Sequence, residues 1–220
     1  MKKILASTVL LAVMFVVSAC TLGSTTENDG ESSSSSSKSE STEAAGSAEY
    51  VIGVAYTTPE TGATHLGMEK FKELVEEKTG GEVVVELYPN GQLHASEREA
   101  IEAVQAGNIE MTVAASAPVA GFDSRFLVLD LPFLFPDHET AYEALDGELG
   151  QQLLDGLTEY DLVGLAYGET GMRQMTNSSH PIESPKDLDG LKIRTMENEV
   201  HIDTFNGYGA NASPFAFGEL

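Results

Sequence analysis

Hydrophobic positions from Tyr50 onward fall into short apolar runs separated by helical repeats. The runs at 51–56, 83–88 and 109–114 are rich in valine and isoleucine, which is typical of β-strands. Between these runs, apolar residues recur at helical spacing, and each repeat ends near a glycine. The order strand, helix, strand, helix, strand predicts an α/β layer with parallel strands.

Local signals indicate where individual helices begin and end. Gly80-Gly81 closes the first helix, whose apolar face carries Phe71, Leu74 and Val75. Ser96, followed three residues later by Glu99, predicts a capping box at the start of the second helix. Asp137 is expected to cap a third helical segment. These signals locate the ends of the predicted helices more precisely than apolar spacing alone does.

The second half of the chain continues the alternation of strands and helices. Apolar and turn-forming residues predict five further elements: a strand at 162–167, a helical turn opening at Ser184-Pro185, a strand at 191–195, a helix from about 198 to 205 and a strand at 212–217.

The first 49 residues differ from the rest and predict an export signal followed by a tether. Lys2 and Lys3 precede an apolar run that is shorter than the roughly 20 residues needed to span a bilayer, so residues 1–19 are predicted to be a signal peptide. Cys20 follows small residues in a pattern that resembles a bacterial lipobox. We therefore expect cleavage before Cys20 and lipidation of its thiol, which would anchor the protein to the outer face of the cytoplasmic membrane. Residues 20–49 are rich in serine and contain no aromatic residue, which predicts a flexible spacer.

Charge excludes some classes of partner. The chain has 35 Asp and Glu against 12 Lys and Arg, and a net charge of −23. Such a surface repels nucleic acid and anionic lipid. No nucleic-acid partner is expected.

The chain also lacks the patterns of common catalytic and metal sites. Its five histidines show no ligand spacing, and Cys20 is the only cysteine. There is no GxSxG elbow and no phosphate-binding loop. The glycines of 207–212 follow a predicted helix and precede a strand, which is the reverse of a dinucleotide site. We therefore expect no metal, no cofactor and no enzymatic activity.

Two arginines provide the candidate chemistry. Arg173 and Arg194 lie close to the ends of apolar, strand-like runs in an acidic chain where arginine is rare. The planar guanidinium matches a carboxylate through two parallel hydrogen bonds, so the pair suggests a site for a small carboxylate. The alternative is that each forms an ordinary surface ion pair with one of the many acidic side chains.

Several longer motifs carry a resemblance to a known family. They are Tyr88-Pro89-Asn90-Gly91-Gln92-Leu93, Asp130-Leu131-Pro132-Phe133-Leu134-Phe135, Gly171 to Asn177, Asp187 to Asn198, and Pro214 to Glu219. Residues 50–220 resemble the DctP family, the solute-binding proteins of tripartite ATP-independent periplasmic (TRAP) transporters.

The resemblance implies a fold and a task. The fold is the two-lobed α/β clamshell of periplasmic binding proteins, with residues 50–170 as the first lobe, nearly complete, and 171–220 as the beginning of the second lobe. The chain is thus expected to be a fragment shortened at its C-terminal end. A member of this family captures an organic acid and delivers it to a pair of membrane permease subunits that use an ion gradient.

The resemblance also implies the site. Arg194 matches the arginine that grips the ligand carboxylate, and Arg173 matches a second ligand contact. Asn198 and Phe217 match residues that line the same cleft. The loops after the first three strands face the cleft in this fold and supply three further candidates: Thr57, Glu97 and Ser116. Near the cleft wall, Ala212-Ser213-Pro214-Phe215 replaces the usual Pro-Thr-Pro-Met, which could change the pocket size.

Two other functions have the same features. The protein could serve an ATP-driven importer or a sensor kinase, since fold and location would be identical. It could also be a secreted enzyme on a related clamshell, although no nucleophile or metal pattern favours this. The sequence does not distinguish a C4-dicarboxylate from a sugar acid or a keto acid.

Overall fold

The computed structural model describes residues 48–220. The predicted signal peptide, Cys20 and nearly all of the predicted tether lie outside the described residues.

A parallel three-stranded sheet forms the first half of this part. Its strands are β1 (Tyr50–Ala55), β2 (Val83–Tyr88) and β3 (Met111–Thr112), in the order β2-β1-β3. Tyr50 pairs with Val83, and Val54 pairs with Met111. The predicted parallel α/β layer is confirmed, with each strand joined to the next through a helix.

Two helices cover this sheet. They are α1 (Ala63–Lys78) and α2 (Glu97–Gln105). Phe71 and Val75 of α1 pack on a core that contains Val54 and Val85, both fully buried. Leu74, which the pattern places on the same face, is instead 36% exposed. Leu74 therefore lies at the edge of the helix face that packs on the sheet.

Both predicted helix boundaries are observed. The Ser96 hydroxyl accepts a hydrogen bond from the Glu99 backbone N–H (3.2 Å), and the Glu99 carboxylate accepts one from the Ser96 N–H (3.3 Å). Gly80 and Gly81 adopt positive φ angles of 62° and 85° beyond the end of α1, a region that glycine enters without steric cost.

A second apolar cluster follows. A short helix, α3 (Ser116–Val119), leads into a 3-10 helix at Ser124–Asp130, and then come α4 (His138–Leu145) and α5 (Glu148–Gly156). Asp137 caps α4 as predicted, because its carboxylate accepts from the Thr140 N–H at 2.8 Å. Four residues form the buried centre of this cluster: Ala120, Phe126, Leu153 and Leu157.

A separate β-α-β unit completes the described chain. It consists of β4 (Lys192–Thr195), α6 (Glu199–Gly207) and β5 (Asn211–Pro214), and its two strands are parallel. One-turn 3-10 helices precede and follow it, at Pro185–Leu188 and Phe217–Glu219. The predicted division into a first lobe at 50–170 and a second lobe from 171 stays a prediction.

Three predicted strands need correction. Residues 162–167 do not form a strand, because no segment within residues 48–220 supplies a ladder partner; Leu162 and Tyr167 pack instead on the second apolar cluster. The third strand is limited to Met111–Thr112, since only Val54 and Ala55 face it. The last strand ends at Pro214, and the chain turns into the 3-10 helix at Phe217–Glu219.

Two further properties concern the described residues alone. Within residues 48–220 no helix combines the length and the apolar character needed to cross a bilayer. In the same range, no three His, Cys, Asp or Glu side chains converge in a group that could hold a metal ion.

Candidate functional site

Arg194 lies near the end of β4, where its guanidinium grips a backbone carbonyl. The parallel register places Arg194 opposite Ser213, so its side chain reaches the chain just beyond β5. Its Nε and Nη2 both donate to the Phe215 oxygen, at 2.9 Å and 2.7 Å, and the guanidinium carbon lies 5.6 Å from the centre of the Phe215 ring. This contact uses two of the five N–H donors of an arginine, so the fork is held in place with donors to spare.

Glu97 approaches the same region from the other sheet. It is the first residue of α2 and is half-buried, and its Oε1 accepts a hydrogen bond from the Ala115 N–H at 3.0 Å. Burial raises the pKa of Glu97 above its usual range, and this effect outweighs the Ala115 N–H and the charges of Arg194 and Arg173, which lower it. Buried carboxyl groups whose pKa is shifted in this way occur preferentially at functional sites.

Arg173 adds a second positive charge beside Arg194. Its side chain is exposed, and its Nη2 lies 3.6 Å from the Met196 sulfur. Burial lowers the pKa of Arg194, as does repulsion from Arg173, while Glu97 and Glu197 act in the opposite direction. The two arginines and Glu97 thus act on one another electrostatically, although they come from distant parts of the chain.

A narrow cleft separates these groups. Its interior volume is about 10 Å³, close to the space that one water molecule needs. Nine residues line it: Ser96, Glu97, Pro118, Arg194, Met196, Glu197, Phe215, Ala216 and Phe217. Entry of an organic acid would therefore require the walls on the Glu97 side and the Arg194 side to move apart.

A larger cavity in the described residues lies elsewhere. It measures about 510 Å³, but it is lined only by the consecutive residues 175–182 of one exposed loop. None of the candidate site residues borders it. The convergence of charged side chains, rather than cavity size, therefore defines the candidate site.

Both the oxygen and the nitrogen of the Asn198 side-chain amide form hydrogen bonds within the protein. Its Oδ1 accepts from the His201 N–H at 3.2 Å and so caps α6. Its Nδ2 donates to Asp130 at 2.9 Å and to the Ala117 oxygen at 3.3 Å. With only 4% of the residue exposed, Asn198 lies behind the cleft wall. Its predicted contact with a ligand stays a prediction.

The remaining candidates divide into two groups. Phe217 lines the cleft and is 43% exposed, so it is free to contact a ligand. Thr57 is buried two residues after the end of β1, and Ser116 is the first residue of α3; neither is among the residues that line the cleft. The structure therefore brings together Glu97, Arg194 and Phe217, with Arg173 at the edge.

Sequence reasoning missed other parts of the cleft. Phe215 contributes a backbone carbonyl, which side-chain patterns do not reveal, and Met196 lines the cleft with its sulfur near Arg173. Ser96 was assigned only a capping role, although it also lines the cleft. Asp130 and His201, whose side chains lie 3.1 Å apart, carry no motif that would have joined them across the sequence.

The family model that matches is that of bacterial extracellular solute-binding proteins, family 7 (DctP), and it covers residues 54–220. Among relatives, the 2,3-diketo-L-gulonate-binding periplasmic protein YiaO of Escherichia coli is 39% identical over 165 residues. The match covers 75% of this chain and 50% of that protein.

Solved structures of solute-binding proteins also match this chain. The sugar acid binding protein DctPAm from Advenella mimigardefordensis, in complex with galactonate, has a TM-score of 0.75 and 38% identity, and the match covers 77% of this chain and 55% of that one. A TRAP periplasmic solute binding protein from Sulfurospirillum deleyianum, with bound succinate, has a TM-score of 0.75 and 32% identity, with 78% and 55% covered.

The chain spans about half the length of the relatives it matches. These relatives are solute-binding proteins of transport systems and not enzymes. Their fold confirms the predicted α/β periplasmic-binding-protein class. With this fold, and with a family match over most of its length, the chain belongs to the family 7 bacterial extracellular solute-binding proteins, the DctP family of TRAP solute-binding proteins.

Proposed function

We propose that the protein is an extracytoplasmic solute-binding protein that captures a small organic acid, whose carboxylate is gripped by Arg194. The observation that carries this proposal is the geometry of Arg194, a partly buried guanidinium fixed on the Phe215 oxygen with donors to spare. Arg173 supplies a second charge beside it.

Physical chemistry supports this choice of ligand. A guanidinium presents a fixed fork of donors that fits both oxygens of a carboxylate, and partial burial strengthens the interaction over its value in water. The solutes in the descriptions of the relatives are 2,3-diketo-L-gulonate, galactonate and succinate, and all of these are carboxylates.

The charges of the cleft favour a hydroxylated monocarboxylate over a dicarboxylate. Arg194 and Arg173 are balanced by Glu97 and Glu197, so there is no surplus of positive charge for a second ligand carboxylate. Glu97 offers acceptor oxygens for a ligand hydroxyl. Sugar acids, which carry one carboxylate and several hydroxyls, are therefore the proposed ligand class. Phe217 would pack against the carbon chain, whereas Thr57, Ser116 and Asn198 would contribute only after the cleft opens.

The partners follow from the family and from the sequence of the first 49 residues. We propose that lipidated Cys20 and the spacer hold the protein on the outer face of the cytoplasmic membrane, and that it delivers its acid to TRAP permease subunits. An ATP-driven importer or a sensor is the alternative partner. Uptake of a labelled acid into cells distinguishes them, since collapse of the ion gradient stops a TRAP system while ATP depletion stops an importer. Mass spectrometry of the N-terminal peptide tests for acyl chains on Cys20.

The ligand class is tested by calorimetric titration of the full-length gene product with galactonate, glucuronate and succinate. We expect at least one of the two sugar acids to bind about tenfold or more tightly than succinate, a difference of about 1.4 kcal/mol. Glu97→Gln should weaken the sugar acid and reduce this preference. Succinate binding as tightly as both sugar acids would contradict the proposed class.

A further inference from the structure

A buried polar network lies behind the cleft, centred on Asp130. Its side chain is only 7% exposed. One carboxylate oxygen, Oδ2, accepts a hydrogen bond from Asn198 Nδ2 at 2.9 Å, and the other, Oδ1, lies 3.1 Å from His201 Nε2. Asp130 ends the 3-10 helix at Ser124–Asp130, and Asn198 lies 68 residues later. Asp130 thus holds the start of α6 from a distant part of the chain.

The network reaches both walls of the cleft. On one side, Asn198 caps α6 and lies four residues after Arg194, and the intervening Met196 and Glu197 line the cleft. On the other side, Asn198 also bonds to the Ala117 oxygen in α3.

The α3 segment belongs to the wall that carries Glu97. Pro118 of α3 lines the cleft, and the N–H of Ala115, which precedes α3, donates to Glu97. The hydrogen bonds of Asn198 therefore join the segment that bears Arg194 to the segment that supports Glu97.

A buried carboxylate is costly unless it is paired, and apolar packing would serve stability at least as well. Such groups are well suited to fixing one relative placement of two elements, because any other placement leaves a charge without partners. We propose that Asp130 is a positioning residue for the carboxylate site: through Asn198 and His201 it sets where Arg194 stands relative to Glu97. This inference rests on the proposed function for its effect on ligand binding.

Asp123 provides a matched control. It caps the same 3-10 helix, its side chain is 2% exposed, and its carboxylate binds Arg125 through Nε at 2.8 Å and Nη2 at 2.7 Å. It is thus as buried as Asp130, but its partners lie in its own helix and not in α6. Loss of Asp123 should destabilise the fold without moving Arg194.

The first experiment compares variants of the full-length gene product by titration with galactonate and glucuronate, alongside urea unfolding. Asp130→Ala should weaken the binding of the acid about tenfold, since residues that couple two elements change affinity by this order. In Asp130→Asn the amide oxygen can accept from Asn198, and the amide NH2 can donate to His201 Nε2 in the tautomer whose Nε2 carries no proton, so this variant should restore most of the affinity. Asp123→Ala should lower stability but leave affinity near that of the wild type. Equal loss of affinity in Asp123→Ala and Asp130→Ala, or no loss in either, would overturn the proposal.

A second readout does not depend on a ligand. Nitroxide labels on cysteines that replace Glu102 in α2 and Asp203 in α6, both exposed, report the spacing of the two segments. On a background without other cysteines, Asp130→Ala should broaden the distance distribution, whereas Asp123→Ala should leave it narrow. If the wild type binds neither acid, the proposed function fails and these widths alone decide the positioning role. A narrow distribution in Asp130→Ala would overturn it. If Asp130→Ala does not fold, His201→Leu replaces it, since this variant removes one of the two contacts to the Asp130 carboxylate. The same changes in affinity and in the distance distribution are then expected of His201→Leu.

Discussion

Arg194 illustrates how a single side chain can be fixed before a ligand arrives. Two donors meet one carbonyl oxygen, and the Phe215 ring lies against the guanidinium. The side chain would therefore lose little further conformational freedom on binding a carboxylate, as we propose for it, and this favours affinity. The same geometry explains why a lysine would be a poor replacement, because an ammonium group has no planar fork.

Arg194→Lys is expected to weaken binding of the cognate acid by roughly ten- to a hundredfold, about 1.4 to 2.8 kcal/mol. Calorimetric titration measures the change. Arg98→Lys is the control, since Arg98 faces Phe122 and Glu102 and does not line the cleft. Equal affinities of Arg194→Lys and the wild type would show that the bidentate contact is not used.

Glu97 should make stability depend on pH in a definite direction. Burial raises its folded pKa above the unfolded value, so between the two values the folded state binds more protons. Stability from this group therefore falls as pH rises through that window and stays low at neutral pH. Glu97→Gln should raise the urea midpoint at pH 7 and remove this part of the pH dependence, which lies above the ordinary pKa of a glutamate. A lower midpoint in Glu97→Gln at pH 7 would contradict the account.

At the scale of single residues, the sequence predicted which charged side chains lie near one another better than it predicted their hydrogen-bond partners. Arg194, Arg173 and Glu97 could be named from the resemblance, and the structure places their charges within reach of one another. Asn198 shows the limit. Its residue type suits both a ligand contact and a helix cap, and only the fold reveals Asp130 beside it.

At the scale of elements, local signals were reliable wherever the element needs no distant partner. The capping box at Ser96 and Glu99 and the cap at Asp137 were read from three or four residues, and both are present. A strand requires a neighbour, and composition does not supply one. Residues 162–167 have the composition of a strand but no ladder partner in the described part of the chain, so they form an irregular segment whose Leu162 and Tyr167 pack on the second apolar cluster.

Two glycines in helices should respond oppositely to alanine. At Gly150, in α5, a Cβ would overlap the carbonyl oxygen of Leu145 at the junction of α4 and α5. We expect Gly150→Ala to cost about 1–3 kcal/mol of unfolding free energy through overpacking. At Gly67, in the middle of α1, nothing lies within 4 Å of the new Cβ. Gly67→Ala should add about 0.5–1 kcal/mol, because alanine loses less backbone entropy in a helix.

Urea unfolding of the two variants side by side provides the measurement, and each serves as the other's control. If Gly150→Ala were as stable as the wild type, the close packing of α5 on the end of α4 would be wrong. If Gly67→Ala were destabilising, the exposed face of α1 would have to contact another part of the protein.

At the scale of the whole molecule, the proposed function requires an acidic protein to bind an anion. The net charge of −23 repels organic acids at a distance, so the proposed capture depends on short-range contacts inside the cleft. Arg194 supplies guanidinium donors for these contacts, beside Phe215 and Phe217 in the cleft lining. The cleft is narrow in this structure, so the proposed capture requires its walls to move apart and close again on a ligand. Asp130 lies behind both walls, and as a positioning residue it would set where the walls come to rest when the cleft closes.

The most direct test of carboxylate capture at Arg194 is a thermal shift of the full-length gene product with galactonate, glucuronate and succinate, for the wild type and Arg194→Ala. A ligand at 100 times its dissociation constant stabilises a folded protein by about 2.7 kcal/mol. We expect a clear rise in Tm of the wild type with a sugar acid and its loss in Arg194→Ala. A rise of the same size in both proteins, or no rise with any of the three acids in a folded wild type, would contradict the account.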